Sequence, residues 1–404
     1  MEGLKPFSFV HIADIHLGYM QYNLAERRED FAKAFIEAVD KTIKLKPSFV
    51  LLAGDIFDSP RPSNQTLATA IRELRRLRDS GIRVFAVDGS HDLEPNIMTG
   101  TILIPLHNAG LISYLPRLEG GCWRDENCYI YGVQSSRSLR EADEKIPEYM
   151  RRNPPKPNPN LFNIFVFHGA LDNPKYVPPY LKPDLRMEYL PEGFNYYAGG
   201  HVHEPSIQKF KTGVLAYPGC LETTTYTEAE IQKGFYYVEV ESPDSPPKIE
   251  RIKIENTRRF VVEERDFSGL TPEKITLEAS NQILKMDVED AILVLLLKGE
   301  LPPGFKKSQI DMPRIKASAK KALYTVVLNQ MVESEQQKLP PKIRETRELK
   351  TVAYEYLLKM FREQKYPEEF CLRMAKTAID ILDPLLGGDE EKVKSMLEEA
   401  AKKR

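Results

Sequence analysis

Short apolar runs alternate with amphipathic stretches through the first part of the chain. Phe7 to Ile12, Phe49 to Ala53, Val84 to Val87, Tyr129 to Val133, Phe162 to Phe167 and Tyr196 to Ala198 are too short for helices and apolar enough to be buried strands. Between the early ones, Phe31-Phe35-Val39-Ile43 and Leu67-Ile71-Leu74-Leu77 recur at three-to-four spacing, which predicts helices with one apolar face. Strands alternating with helices predict a layered α/β domain. Phe235 to Val240 and Ile249 to Ile254, joined by the turn cluster Ser242-Pro243-Asp244-Ser245-Pro246-Pro247, predict a hairpin that closes it.

A second pattern follows. Phe260 to Glu264 is strand-like, Thr271-Pro272-Glu273 places an N-cap before a proline at the first helical position, and Ala291 to Leu297 is a fully apolar strand. Arg314 to Lys321 reads as a helix leading into Tyr324 to Leu328, so this stretch has the size of a small accessory α/β domain. After Pro340-Pro341 the pattern is helical. Leu349, Val352, Tyr356, Leu357, Met360 and Phe361 form one apolar stripe; further helices are predicted from Pro367 to Leu382 and after Asp389, with Asp383-Pro384 and Gly387-Gly388 as breaks. Such a stripe serves internal packing or the docking of a partner, and its spacing is compatible with both. The expected division is 1–255, 256–335 and 336–404.

At 404 residues, 42% hydrophobic and 29% charged, the chain is long enough and apolar enough for two or three globular domains. It has no apolar run long enough to span a bilayer, and Met1 to Pro6 lacks the design of a signal peptide, so a cytoplasmic location with no membrane partner is expected. A formal net charge of −2 lacks the basic surplus of a chain that holds nucleic acid by bulk electrostatics, so any such contact has to be local or shared with a partner. Lys306, Lys307, Arg314, Lys316, Lys320 and Lys321 form a local basic run that suits phosphate contact or a solvated helix face. The four cysteines are too scattered for a disulfide framework, and Cys122 and Cys128 lack a second pair for a zinc site, so reduced thiols are expected.

The chemistry lies just after the strand runs. Five stations follow them: Asp14-Ile15-His16, Gly54-Asp55 with Asp58, Gly89-Ser90-His91-Asp92, His168-Gly169, and Gly199-Gly200-His201-Val202-His203. They hold five of the seven histidines; His11, inside a strand, and His107, on a helix, are read as structural. In open α/β sheets ligands sit beyond the carboxyl ends of the strands, where these side chains converge. Two divalent metals roughly 3.5–4 Å apart can clamp a phosphodiester for in-line attack, and they need a shared carboxylate, imidazoles and open positions. Asp55, directly after a strand-end glycine, is the natural bridge. Asp14 and His16, two apart on an extended segment, project to one side, and His201 and His203 repeat that geometry. His91 can reach the substrate and donate a proton to the leaving oxygen. Asp92 could orient the His91 ring and Asp58 support the ligands, although both also suit turn or capping roles. The Pro-rich 154–159 segment is expected to be a surface loop near this site.

In order and spacing these stations resemble the calcineurin-like metallophosphoesterase superfamily, over roughly residues 7 to 225. His11 to Gly18, Tyr22-Asn23-Leu24, Arg27, Phe57 to Pro62 and Tyr217-Pro218-Gly219 look like its double-strand-break repair nuclease branch, the prokaryotic and archaeal nuclease subunits that partner an SMC-like coiled-coil ATPase. The resemblance implies a layered β-sandwich flanked by helices, a small α/β capping domain and a helical tail that docks the ATPase through Leu349, Val352, Tyr356, Leu357, Met360 and Phe361. It implies that Asp14, His16, Asp55 and His203 hold one Mn²⁺ and Asp55, position 90, His168 and His201 the other, with Mg²⁺ as the alternative metal and His91 acting on the leaving group. It further implies DNA ends as substrate, 3′-to-5′ exonuclease with single-strand endonuclease activity, nucleoid association, and a homodimer built near Leu67 to Leu77 and Ile97 to Leu111. The family pattern has asparagine where this chain has Ser90, whose shorter hydroxyl predicts weaker affinity for the second metal unless a neighbour such as Asp88 compensates. Two other readings compete: a phosphatase or small phosphodiesterase of the same superfamily, and a DNA-end-binding scaffold with weakened nuclease activity.

Overall fold

The computed structural model describes residues 5–93, 100–334, 346–364, 366–386 and 389–402. Contacts group the chain into two compact units, one of residues 1–266, 275–298 and 311–330, the other of 267–274, 299–310 and 331–404.

In the first unit, β1 (Phe7–Ile12), β2 (Phe49–Ala53), β3 (Arg83–Val87) and β4 (Ser113–Tyr114) run parallel, and the predicted hairpin β11 (Gly234–Val240) and β12 (Lys248–Lys253) adds two antiparallel strands beside β1. A second six-stranded sheet takes the order β5 (Cys122–Arg124), β6 (Cys128–Gly132), β7 (Phe162–His168), β8 (Tyr196–Gly200), β10 (Gly213–Tyr217), β9 (Ser206–Phe210), with β6, β7, β8 and β10 parallel.

The two sheets face each other, and the period-two alternation shows why. In β1, Phe9 points into the core shared with Phe162, Ile164 and Tyr196 of the second sheet. Val10 and Ile12 point the other way, onto α1 (Ala25–Leu45) and α2 (Asn64–Asp79), whose Phe35, Val39, Leu74 and Leu77 are the apolar positions read from helical spacing. The outer face of the second sheet is covered by α4 (Leu139–Arg152) through Ala142 and Ile146. Ser63 caps α2 by accepting the Thr66 N–H, and Ser138 caps α4 by accepting that of Glu141. Helix α3 (Leu103–Asn108) carries His107, and Ile97, at the start of the expected dimer segment, lies outside the described residues.

The accessory module is a parallel sheet, β13 (Phe260–Asp266), β14 (Ile292–Lys298) and β16 (Tyr324–Asn329), belonging to the first unit together with most of α5 (Pro272–Ile283) and α6 (Met312–Ala317). Ile292, Val294 and Leu296 of β14 pack against Tyr22, Leu24 and Tyr226 of the core, and Tyr22 stacks on Tyr324 with ring centroids 4.8 Å apart. In the second unit the short β15 (Glu300–Leu301) pairs with β17 (Val332–Glu333), and α7 (Thr346–Glu363), α8 (Glu368–Leu386) and α9 (Glu390–Lys402) follow. Helix α8 runs through Pro384, where the sequence predicts a break. The Pro340-Pro341 boundary and the side chains of Leu349 and Val352 lie outside the described residues. Of the remaining stripe, Tyr356 is exposed, whereas Leu357, Met360 and Phe361 are half-buried and the Phe361 ring meets Tyr366 and Phe370.

The Pro-rich loop is not near the site. It precedes β7, where Asn158 accepts from the Asn163 side chain through its carbonyl, and Pro157 packs beside Gly193; His168 is at the other end of that strand. Proline removes ladder donors, so such a run ends up entering a strand rather than inside one.

Candidate metal centre

All the stations fall at or just beyond the carboxyl ends of β1, β2, β3, β7 and β8. One cluster brings ligand atoms of Asp14, His16 and His203 within 4.8 Å of one another; a second does the same for Asp55, His168 and His201. Asp55 lies between them, its Oδ2 3.2 Å from His168 Nε2 and 3.9 Å from His16 Nε2. His16, Asp55 and His91 form a third grouping, with the His91 ring edge-on to His16 at 4.9 Å.

The backbone is bent to make this possible. Asp14, His16, Asp55 and His201 all adopt positive φ, at 52°, 47°, 47° and 87°, a region that costs a non-glycine residue about 1–3 kcal/mol. Glycines supply the close approaches: a Cβ on Gly89 would sit 2.1 Å from Asp55 Oδ1, and one on Gly200 1.8 Å from the Ala53 carbonyl oxygen. Strain at four candidate ligand residues together is characteristic of a functional site, where the surrounding fold holds unfavourable conformers in place.

Hydrogen bonds fix the His168 and His203 rings. The His168 Nδ1–H donates to the Ala53 carbonyl at 2.9 Å, which turns Nε2 toward Asp55. His203 Nδ1 is held by Glu228 Oε1 at 2.8 Å and Thr224 Oγ1 at 3.0 Å, leaving Nε2 3.3 Å from His16 Nε2. His201 Nε2 lies 3.5 Å from Asp184 Oδ2, and the backbone N–H of His201 donates to both Asp14 oxygens at 3.0 Å. Glu228 and Asp184 were not visible from spacing. Glu228 stands on a one-turn 3₁₀ segment 25 residues past His203, and Asp184 sits in an irregular loop after β7.

His91 is more exposed than the candidate ligands. Its backbone N–H donates to Asp55 Oδ1 at 2.8 Å and its ring Nδ1–H to the Asp58 carbonyl at 2.9 Å. Asp58 therefore braces both His91 and, through Oδ1 at 3.6 Å, His16. Asp92 does not orient the His91 ring. Its carboxylate is buried and accepts the backbone N–H groups of Ile56, Phe57 and Gly89, pinning the β2 and β3 loops to each other. Ser90 lines an open cleft of about 570 Å³ with Asp58, His91, Arg137, Asp184 and His201, and among the described residues its hydroxyl makes no hydrogen bond. Asp88 is buried, its Oδ1 accepting from Tyr114. His11 is buried against Tyr196, and burial pushes its imidazole down to about 3, so it is neutral.

The electrostatics describe a centre built to receive positive charge. Burial alone would raise Asp55, but His168, then His16 and His91, hold its carboxyl well below the usual range. Burial opposes charge on His168, yet Asp55 and Asp14 beside it push the imidazole up to about 10. Burial and the neighbouring His168 push His201 down to about 3. The buried His168 Nε2, although 3.2 Å from Asp55, makes no hydrogen bond of acceptable geometry. An orphaned imidazole nitrogen beside an ionised carboxylate fits a cation, and carboxylate and imidazole donors suit a first-row divalent metal.

The model of the calcineurin-like phosphoesterases matches residues 7–205. The chain is 30% identical to a "DNA double-strand break repair protein Mre11" of Archaeoglobus fulgidus over 76% of this chain and 74% of that protein. It is 32% identical to that of Methanocaldococcus jannaschii over 63% and 68%, and 29% identical to that of Methanococcus maripaludis over 69% and 77%.

Proposed function

We infer the reaction from the premise that this chain belongs to the Mre11 family of calcineurin-like phosphoesterases: it is a metal-dependent phosphodiesterase, a nuclease of DNA double-strand break repair. The family implies a dinuclear divalent centre. We propose that the ions are Mn²⁺, one held by Asp14, His16, Asp55 and His203, the other by Asp55, Ser90, His168 and His201. The observation that carries this is the single carboxylate of Asp55 lying between two ligand clusters at the ends of parallel strands.

When bound, such ions supply Lewis acidity toward phosphoryl oxygens and make water acidic enough to attack near neutral pH. The chain supplies the rest. The strained loops and the hydrogen bonds to Ala53 and Glu228 aim the imidazoles without reorganisation. His91, its Nδ1–H tied to the Asp58 carbonyl, has Nε2 as the atom that protonates the leaving 3′ oxygen. Ser90 is too short to replace an amide oxygen directly, so we propose that it reaches the second ion through water.

DNA ends are the substrate, cut from the 3′ side, with single-strand endonuclease activity. Further proposals are a homodimer formed near α2, a capping role for the β13–β14–β16 sheet, and an SMC-like coiled-coil ATPase docked on the tail stripe. End-labelled single- and double-stranded DNA, assayed with Mn²⁺ and with chelator, tests the reaction. Cleavage should require metal and fall about a hundredfold or more in His91→Ala. Turnover of phosphate monoesters alone favours the phosphatase reading; DNA binding without cleavage favours the scaffold.

A further inference from the structure

The cleft beside the ligands contains one arginine and, among the described residues, no lysine: Arg137, in the loop after β6. Its volume of about 570 Å³ exceeds what one phosphoryl group needs and falls within the range of small-molecule sites. The guanidinium is exposed but fixed. Nη2 donates to the carbonyls of Leu93 and Ser90, so Arg137 is tied to the turn that carries His91. Nε and Nη1 have no partner among the described residues, and no described carboxylate pairs with the side chain; Glu141 takes the Arg137 backbone N–H and pairs with Lys145 instead.

A guanidinium held in place, with no described carboxylate in direct contact and with donors to spare, is suited to a phosphate. Because Arg137 is hydrogen-bonded to the turn that carries the residue assigned to the leaving oxygen, a phosphate it holds belongs to the strand on the leaving-group side. Resting on the nuclease reading above, we propose that Arg137 is a substrate-binding residue that grips the phosphate one nucleotide 5′ of the scissile linkage.

Two measurements test this. In the first, wild type, Arg137→Ala and Arg137→Lys digest a single-stranded oligonucleotide with Mn²⁺, with and without a neutral methylphosphonate at that one linkage. Arg137→Ala should raise KM about tenfold on the native strand, Arg137→Lys less, and the methylphosphonate should penalise wild type far more than Arg137→Ala. Equal methylphosphonate penalties in both proteins overturn the proposal, because the residue would then only hold the loop that carries His91. In the second, binding of the same oligonucleotide by metal-free protein is followed against salt. Losing one phosphate contact lowers the slope of log affinity on log salt by about 0.7. An unchanged slope refutes the contact whether or not the wild type cleaves DNA, whereas a wild type that never cleaves DNA sinks the nuclease reading.

Discussion

Replacing Glu228 with glutamine tests whether the group behind His203 sets metal affinity. Glu228 is 7% exposed and commits Oε1 to His203 Nδ1 and Thr224 Oγ1, at 2.8 and 2.6 Å, and Oε2 to Lys233 Nζ and the Thr224 N–H, at 2.9 and 3.1 Å. Lys233 is itself only 4% exposed. Glutamine keeps the shape but turns one oxygen into an NH₂ group, which must then face either the His203 N–H or the lysine ammonium. Removing one partner of a buried ion pair costs about 3–5 kcal/mol, and losing the partner of a ligating histidine costs about ten- to a hundredfold in metal affinity. Stability should therefore fall more than affinity, because Lys233 loses its counter-charge outright while His203 keeps Thr224. Burial raises the Glu228 carboxyl, but the His203 hydrogen bond, then the charges of His203 and Lys233, leave it below its ordinary 4.5. A depressed carboxylate stabilises above its unfolded value and loses that contribution as pH falls through the folded one. The stability gap between wild type and Glu228→Gln should accordingly be widest near neutrality and close in acid below about 4.5. Unfolding of the metal-free proteins from pH 3 to pH 8 and calorimetric titration with Mn²⁺ read both effects. A metal affinity within twofold of wild type, or a gap that widens in acid, would refute the reasoning.

Ser90→Asn should tighten the weaker of two Mn²⁺ binding events and raise cleavage at limiting metal; identical isotherms for the two proteins would show that position 90 is not a ligand. Gly200→Ala places a methyl 1.8 Å from the Ala53 oxygen and 2.7 Å from His168 Nδ1, breaking the bond that aims this ring, so a loss of about 1–3 kcal/mol and of metal binding is expected; unaltered melting and binding would contradict it. His168, raised to about 10 in the metal-free site, holds a proton at neutral pH that a ligating nitrogen must lose. This group stabilises the metal-free protein fully below 6.5 and stops doing so as pH rises through about 10, whereas metal affinity should climb up to about tenfold per pH unit over the same span. Calorimetry in buffers of different ionisation heat should detect proton release on metal binding, and its absence would argue against His168 as a ligand.

What could be read along the chain, and what could not, follows from how far each contribution reaches. Asp14, Asp55, His91, His168 and His201 each follow an apolar run by a few residues, and a parallel strand delivers whatever comes next to one edge, so position in sequence already implies position in space. The short edge strands β4, β5 and β9 carry no such signal, because two to five residues, partly polar, do not develop a period. The groups that aim the ligands are harder still. Glu228 and Asp184 bear no local mark of their role, since a carboxylate on a turn is ordinarily solvated and only the packing of distant loops buries these two. Arg27 is the sharpest instance: a charged residue near the start of an amphipathic helix should face water, yet it is fully buried. There it bonds Gln21, Asp30, Glu222 and the Thr223 carbonyl, with Phe31 and Phe260 against its guanidinium. Its partners come from three separate stretches of chain, including the first strand of the accessory sheet, so its burial is a property of the assembled unit and no window of sequence contains it. The candidate ligands were legible because strands carry them to one place; the groups that hold them became visible only where separate loops meet.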